Sequence, residues 1–426
     1  MRPLGVSAVF PPALVLSCVL AASPAHAVRL AEGQQGTDWG PAYLDLIGYL
    51  QPRLELVDDD TRCPTGAYGC EPEERIVENA FGGGGFAVRR ARIGFTGRVH
   101  ELLAFQILVE LAAQGGPSVM DAYVDLPFDE TLELRFGQFK TPFSRQFLVP
   151  ESRLQMIEPS VLVEGGLADR NPSGLGAPGR DVGLMMTNAF GDGRLIELCN
   201  GIFNGDGRGV PHNPDDGTLF VSRLALHPLG APGRLEESDV AQEEDPRISL
   251  GLNLAIDRKG GEGRLGEAAD PSFEQRTNRY GADLAFFWGG FSLYGEVLYR
   301  WFARQGDGSA ALDEVGFGYA IQGGYLLPIE DFERNVEVAA RYDFYDPARC
   351  GNAECDPDEL APPADPMDPK LGRETVTIGA NFFLTGDHTW KLQANYLWAM
   401  ETELPDIADG DHVADDAFLL QMTAHL

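Results

Sequence analysis

From Tyr43 almost to Leu426 the apolar residues recur at every second position, and that period restricts the chain to extended strands. Leu46, Gly48, Leu50, Pro52, Leu54 and Leu56 alternate with Asp45, Ile47, Tyr49, Gln51, Arg53 and Glu55. Ala91, Ile93, Phe95, Gly97 and Val99 then alternate with Arg90, Arg92, Gly94, Thr96 and Arg98. A third run sets Phe105, Ile107, Val109 and Leu111 against Ala104, Gln106, Leu108 and Glu110. Beyond Ala27 no run of about 18 apolar residues occurs, which excludes a spanning helix.

The same pattern predicts sixteen strands, near 43–57, 86–99, 103–115, 119–127, 131–139, 180–190, 193–202, 218–227, 246–257, 277–287, 291–304, 313–326, 335–346, 372–383, 389–401 and 412–426. Several connections after odd-numbered strands are long (58–85, 140–179, 203–217, 258–276, 347–371), and most of those after even-numbered strands are tight (100–102, 128–130, 191–192, 288–290, 384–388). Segment 228–245 breaks the alternation by being long, and 116–118 by being short. Alternating long and short connections between period-two strands imply an all-β, transmembrane antiparallel β-barrel of the outer-membrane kind. A secreted sandwich or solenoid fits less well. Strands of 10 to 15 residues exceed the usual soluble length, and aromatics gather at strand ends such as "AFFWGGF" and "NYLW". The closing run "AFLLQMTAHL" keeps one face apolar to the last residue.

The first residues read as an export signal: Arg2, an apolar run over 11–22, and Ala25-His26-Ala27 before the expected cleavage. A lipoprotein signal ending at Cys18 fits worse, because Val15 and Leu16 match that pattern poorly. The expected organisation is a signal peptide (1–27), an N-terminal periplasmic segment (28–42) and the barrel (43–426). Loss of Arg2 with the signal takes the net charge from −32 to −33, which excludes nucleic acid as a partner. The acids crowd into "VDDD", "EPEE", "EESDVAQEED" and "DPDELAPPADPMDP", which read as solvated loops. Cys63 with Cys70 and Cys350 with Cys355 are disulfide candidates in two such segments, while Cys199 reads as a small packing residue within a strand.

If the apolar face meets lipid, the polar face lines a lumen, and about sixteen strands leave room for an aqueous channel. Arg53, Arg90, Arg92, Arg98, Glu110 and Arg135 are then interior by parity, with Arg223, Arg279, Arg300 and Arg341 phased less directly. Arg90, Arg92 and Arg98 form a row on one strand, and a row of arginines lowers the barrier to anions. The competing role is to brace the wall against Glu55, Glu110, Glu133, Glu296 and Glu337.

The runs "VRRARIGFTGRVHELLAFQILVEL" (88–111) and "DAYVDL…LELRFGQFKTPFSRQ" (121–146) resemble the phosphate-selective porin O and P family. "VEVAARYDFYD" and "ETVTIGANFFLTGDHTWKLQANYLWAM" extend the resemblance over most of the chain. It implies a sixteen-stranded homotrimeric channel of the Gram-negative outer membrane, whose long third loop folds inward to narrow the pore. It also implies an arginine ladder, carried here by Arg90 and Arg92, and small anions such as phosphate as solutes. The family's lysine cluster has no counterpart. Segment 140–179 holds Lys140, Arg145, Arg153 and Arg170 against Glu151, Glu158, Glu164 and Asp169. Lys140 and Arg145 stand where that loop leaves the wall, so they are expected to meet anions in transit.

Catalysis finds no support. Neither GxSxG nor HExxH occurs, and no histidine has a serine two residues away. No metal ligand set, catalytic residue or cofactor is expected, and "NGDGRG" and 356–370 lack the full spacing of a calcium loop. The expected partners are small hydrophilic solutes and outer-membrane lipid, including lipopolysaccharide. The other readings are a general or cation-tolerant porin, and a structural or adhesive barrel plugged by segment 140–179.

Overall fold

The computed structural model describes residues 27–32, 42–57, 84–113, 116–164, 179–210, 213, 217–232, 234–259, 274–305, 312–329, 335–350, 373–401 and 416–426. A short strand β1 (Val28–Glu32) precedes β2 (Tyr43–Val57), β3 (Gly85–His100), β4 (Leu103–Glu110), β5 (Ser118–Pro127) and β6 (Leu132–Lys140). Next come β7 (Arg180–Phe190), β8 (Ile196–Phe203), β9 (Thr218–Leu226), β10 (Arg247–Lys259), β11 (Glu274–Trp288) and β12 (Phe291–Gln305). The last five are β13 (Leu312–Leu326), β14 (Val336–Cys350), β15 (Arg373–Phe383), β16 (Trp390–Glu401) and β17 (Ala417–His425). From β2 onward each strand pairs antiparallel with the next, and β17 returns to β2 with Ala417 opposite Val57 and His425 opposite Tyr49. The result is a closed sixteen-stranded antiparallel barrel, as the alternation predicts, and closure pairs the first barrel strand with the last, as a solvent without water requires.

Burial separates the two faces. Phe86, Phe136, Leu252, Ile202, Ile378 and Trp398 are among the exposed apolar side chains, while Gln51, Arg135, Thr277, Arg300, Asp343 and Gln393 are buried on the inner face. Tyr and Trp residues of the outer face concentrate on β11 to β16, where Tyr319 stacks on Phe344 at 5.3 Å between ring centroids.

β17 reaches β2 only as far as Tyr49, so the edge of Tyr43–Leu46 is open to another strand. β1 takes it, with Val28 opposite Leu46 and Glu32 opposite Tyr43. Part of the expected N-terminal segment is therefore paired to the barrel, and the Arg29 guanidinium binds Asp45 while lying 4.7 Å from the Tyr43 ring centre.

One bulge alters the arginine row. Gln51 faces Arg90 and Pro52 faces Val88, which leaves Arg89 as the extra residue. Pro52 has no N–H to donate to the ladder, and a bulge opposite it removes the demand for one. At the other notable position, Gly137 has φ 135°, and a Cβ there would lie 2.2 Å from the Ala122 carbonyl oxygen and 3.0 Å from the Tyr123 Cβ. Its missing side chain lets Tyr123 sit against Arg135 and Phe139, with the Arg135 guanidinium 3.9 Å from the ring centre.

The signal (residues 1–26 of it), Cys63, Cys70, Cys355 and residues 165–178 of the long connection lie outside the described residues, and Cys350 is described only by its place at the end of β14. Cys199 is buried and disulfide-bonded, which corrects its reading as a simple packing residue. Among the described residues no helix is long and apolar enough to cross a membrane, and no cluster of three or more metal-ligating side chains occurs.

Candidate functional site

The connection after β6 begins with Thr141-Pro142-Phe143 and carries α1 (Arg145–Leu148), a 3₁₀ turn (Glu151–Arg153) and α2 (Val161–Glu164). Its apolar residues Phe143, Phe147, Leu148, Val149, Leu154, Leu162 and Val163 join a buried cluster with inner-face residues of the wall such as Phe203, Leu219 and Leu298. Polar contacts fix the rest. Ser144 adopts φ 65°, a left-handed conformation that costs energy outside glycine. It is held by its N–H on Asn253 Oδ1 (3.2 Å) and its hydroxyl on Glu296 Oε2 (2.9 Å). Gln155 donates to Ser292 Oγ and Glu337 Oε1 and accepts from Asn381 through its carbonyl oxygen. The Ile157 N–H donates to Asn395 Oδ1 at 2.6 Å. These partners come from β10, β12, β14, β15 and β16, the wall across from the one the segment leaves.

On the near wall the segment offers two carboxylates, Glu151 and Glu158, to two groups of cations. Glu151 meets Arg92 Nη1 at 2.6 Å, Lys140 Nζ at 3.7 Å and Arg180 Nη1 at 3.9 Å. Burial alone would raise its carboxyl, but Arg92, Lys140 and Arg180 outweigh that and hold it well below the usual carboxylate range. Arg92 also binds Glu110 at 2.9 Å and Arg180 binds Asp121 at 2.9 Å, so three cations face three carboxylates. This balanced group lines a cavity of about 130 Å³ bounded by Tyr49, Arg92, Asp121, Lys140, Glu151 and Arg180, among others.

Glu158 meets the second group. Arg53 Nη2 and Arg89 Nε (2.9 Å) both reach its Oε1, and Arg90 Nη2 reaches Oε2 at 2.9 Å. Arg341 donates to the backbone oxygens of Glu158 (2.9 Å) and Pro159 (3.1 Å). Desolvation pushes the Glu158 carboxyl up, and Arg90, Arg53 and Arg89 more than reverse it, leaving it at about 2.

Every arginine expected on the inner face by parity is there or close to it: Arg53, Arg90, Arg92 and Arg135 are buried, and Arg98 is half-buried near the end of β3. Their company differs from a free ladder. Arg135 makes a two-point bond to Asp125 at 2.6 and 2.9 Å and has about 1% of its surface exposed. Lys140 donates to the carbonyls of Phe147 (2.6 Å) and Val149 (3.1 Å), and Arg145 to the Glu236 carbonyl (3.2 Å). Lys140 thus ties its own segment's backbone in place, and Arg145 ties that segment to the β9–β10 connection. Arg89, on the wrong parity for an interior residue, joins the group through the bulge, and the proline opposite it was the available signal.

A second segment meets the first. Residues 227–246, between β9 and β10, bury Leu235, Glu237, Ser238, Asp239 and Val240. Glu237 accepts from Gln146 Nε2 (2.7 Å), the Gln155 N–H (2.8 Å) and Gln322 Nε2 (3.1 Å), and Ser238 donates to Glu337 at 2.8 Å. The sequence marked this segment by its length and its acids, and the reading of "EESDVAQEED" as a solvated loop is corrected here: Glu237, Ser238, Asp239 and Val240 are buried, with the acids held by hydrogen-bond donors.

With the barrel and its inner face in view, the profile of the family described as phosphate-selective porin O and P matches residues 78–423. The chain belongs to this family. Its place is the outer membrane of Gram-negative bacteria, as an outer-membrane porin. A relative from Aquifex aeolicus (strain VF5), named only as an uncharacterized protein, is 25% identical over 297 residues, and the match spans 66% of this chain and 63% of that protein. Among solved structures, an anion-selective porin from Comamonas acidovorans superposes with a TM-score of 0.56 at 13% identity, over 90% of this chain and all (100%) of that one. The trimer form of OmpT from Vibrio cholerae gives 0.54 at 12%, over 90% and 99%. The channel DcaP of Acinetobacter baumannii gives 0.52 at 13%, over 93% and 100%. At such identities the likeness establishes the fold alone.

Proposed function

We propose that this porin passes small hydrophilic solutes by diffusion, with small anions such as phosphate favoured, through a lumen narrowed by segment 141–163 folding inward from β6. No catalytic residue or cofactor takes part in this reading, and the working form is a homotrimer. The observation that carries it is the set of guanidinium groups, those of Arg53, Arg90 and Arg92, that β2 and β3 place on the polar inner wall. Fixed positive charge in a confined passage lowers the electrostatic barrier to anions and raises it to cations. The hydrogen bonds of Ser144, Gln155 and Ile157 to the far wall support a loop that spans the lumen. The membership of the family and the anion-selective Comamonas acidovorans porin among its structural neighbours agree with an anion preference. The balanced charges at the cavity beside Glu151 keep that preference modest.

A second reading is a barrel closed by its own loop, and one observation favours it: Phe143, Ile157, Leu162 and Val163 expose no surface. Planar-bilayer conductance separates the two. A channel gives unitary steps, and its reversal potential in a potassium chloride gradient reports the ion sign. Purified protein that inserts but gives no steps supports the closed barrel instead.

A further inference from the structure

The cavity beside Glu151 measures about 130 Å³, and its walls have their charges paired without all of their hydrogen bonds being made. Each cation that lines it faces a carboxylate: Arg92 has Glu110, Arg180 has Asp121, Arg135 has Asp125 and Lys140 has Glu151. Arg153 interacts electrostatically with Glu236. An ion entering the cavity therefore competes with a partner already in place. The unspent capacity is of another kind. Of the three N–H groups of an ammonium, Lys140 gives two to the carbonyls of Phe147 and Val149. Its Nζ lies 3.7 Å from Glu151 Oε1, and Arg180 Nη1 lies 3.9 Å from the same oxygen. Both gaps are too long for a direct hydrogen bond. Tyr49 also lines the cavity, and its buried hydroxyl has no hydrogen-bond partner among the described residues. Ile47, Leu108 and Phe139 give the same cavity an apolar side.

We propose that this cavity binds small uncharged polyols of the size of glycerol, whose hydroxyls bridge Lys140 and Arg180 to Glu151 and partner the Tyr49 hydroxyl. A hydroxyl is the group that fits, because it accepts from an N–H and gives its own proton to a carboxylate oxygen. A carboxylate solute has no proton for Glu151, and an ammonium has no lone pair for Lys140 or Arg180. Size sets the class further. A cavity of about 150 Å³ holds benzene, so one of about 130 Å³ takes a solute of roughly six non-hydrogen atoms. The carbon side of a polyol packs on Ile47, Leu108 and Phe139, which bind no charge. This deepens the channel reading by naming a class of uncharged solute, and it rests on that reading for passage but not for binding.

The test is saturation-transfer NMR of glycerol with the full-length barrel in deuterated detergent, beside planar-bilayer conductance of the same preparation. Wild type should transfer saturation to glycerol, and Tyr49→Phe, which removes only the hydroxyl, should weaken binding about fivefold, the worth of one neutral hydrogen bond. Ile47→Phe fills the apolar side and should abolish the transfer. Should Ile47→Phe not fold, Tyr49→Phe decides alone. No transfer to glycerol in wild type, or equal affinity in wild type and Tyr49→Phe, overturns the proposal. L-lactate and L-alanine, an anion and a zwitterion of similar size, should fail to displace glycerol at equal concentration. Displacement by either makes the cavity an ion site and overturns the uncharged class. If glycerol binds as expected while no conductance steps appear, the channel reading fails and the site stands. Steps without glycerol binding leave the channel reading intact and sink the site.

Discussion

The Glu237 carboxylate accepts a 2.8 Å hydrogen bond from the Gln155 backbone N–H, which joins the β9–β10 connection to the β6–β7 connection. The two connections leave opposite ends of the barrel, since an odd number of strands, β7 to β9, separates them. Glu237 also accepts from Gln146 and Gln322, so one carboxylate holds two points of the loop and one of the wall. Glu237→Ala removes the acceptor from three buried donors, each costing about 1–3 kcal/mol when left unsatisfied. The expected outcome is a lower unfolding midpoint together with larger and noisier single-channel steps. A lower midpoint with unchanged steps would mean that Glu237 braces the fold without setting the width of the passage.

Glu236 gives the same segment a pH dependence. Its carboxyl is pushed up to about 7, chiefly by burial, with Asp239 adding to the rise and Arg153, Arg234 and Arg145 opposing it. His388 Nε2 lies 3.7 Å away, but burial and the nearby Lys391 and Arg153 hold that imidazole well below its ordinary value. At neutral pH the histidine is uncharged, so it does not stabilise the carboxylate. The folded value lies above the ordinary carboxyl value, so the folded state binds the proton more tightly than the unfolded one. Stability is therefore full below about 4.5 and falls as pH rises toward 7, by roughly 3 kcal/mol in all. Glu236→Gln should flatten urea-unfolding stability across this window and raise it above pH 7. A slope equal to that of wild type would assign the dependence to another group.

Much of the architecture was legible because lipid and lumen impose opposite chemistries on alternate residues, so burial parity and sequence parity coincide along most of the described strands. Arg53, Arg90, Arg92 and Arg135 follow from that rule. Their partners do not, since Asp125 is set by strand register and Glu151 and Glu158 by how a long connection folds. Lys140 and Arg145 were expected to meet anions in transit, yet both donate to loop carbonyls, because helix and turn ends leave carbonyl oxygens that a buried cation can satisfy. Arg89 escaped the parity rule through a bulge, and segment 227–246 left only an anomalous length and acids that read as solvated.

Arg135 separates bracing from selectivity. It is buried, bonded twice to Asp125 and covered by Tyr123. Arg135→Met keeps the volume near Tyr123 and Phe139 but strands a buried carboxylate, which costs about 3–5 kcal/mol when one member of such a pair is removed. Thermal unfolding should show a large loss of stability, while the reversal potential of the folded fraction stays close to wild type. A strong shift toward cations would instead make Arg135 part of the conducting path.

Arg90 is the opposite case. Its guanidinium reaches Glu158 at 2.9 Å and Gln51 at 3.1 Å, and two more arginines remain beside the same carboxylate. Arg90→Gln lowers the local charge by one and leaves Glu158 paired, so the fold should survive with a loss of about 1 kcal/mol, the scale of one hydrogen bond. The reversal potential in a potassium chloride gradient should move toward cations. The shift should be largest at low ionic strength, because the screening length falls from about 30 Å at 0.01 M to about 3 Å at 1 M salt. A reversal potential that ignores both the substitution and the salt would show that the permeating ions never pass within that distance of Arg90, and the ladder would then be a structural feature of the wall.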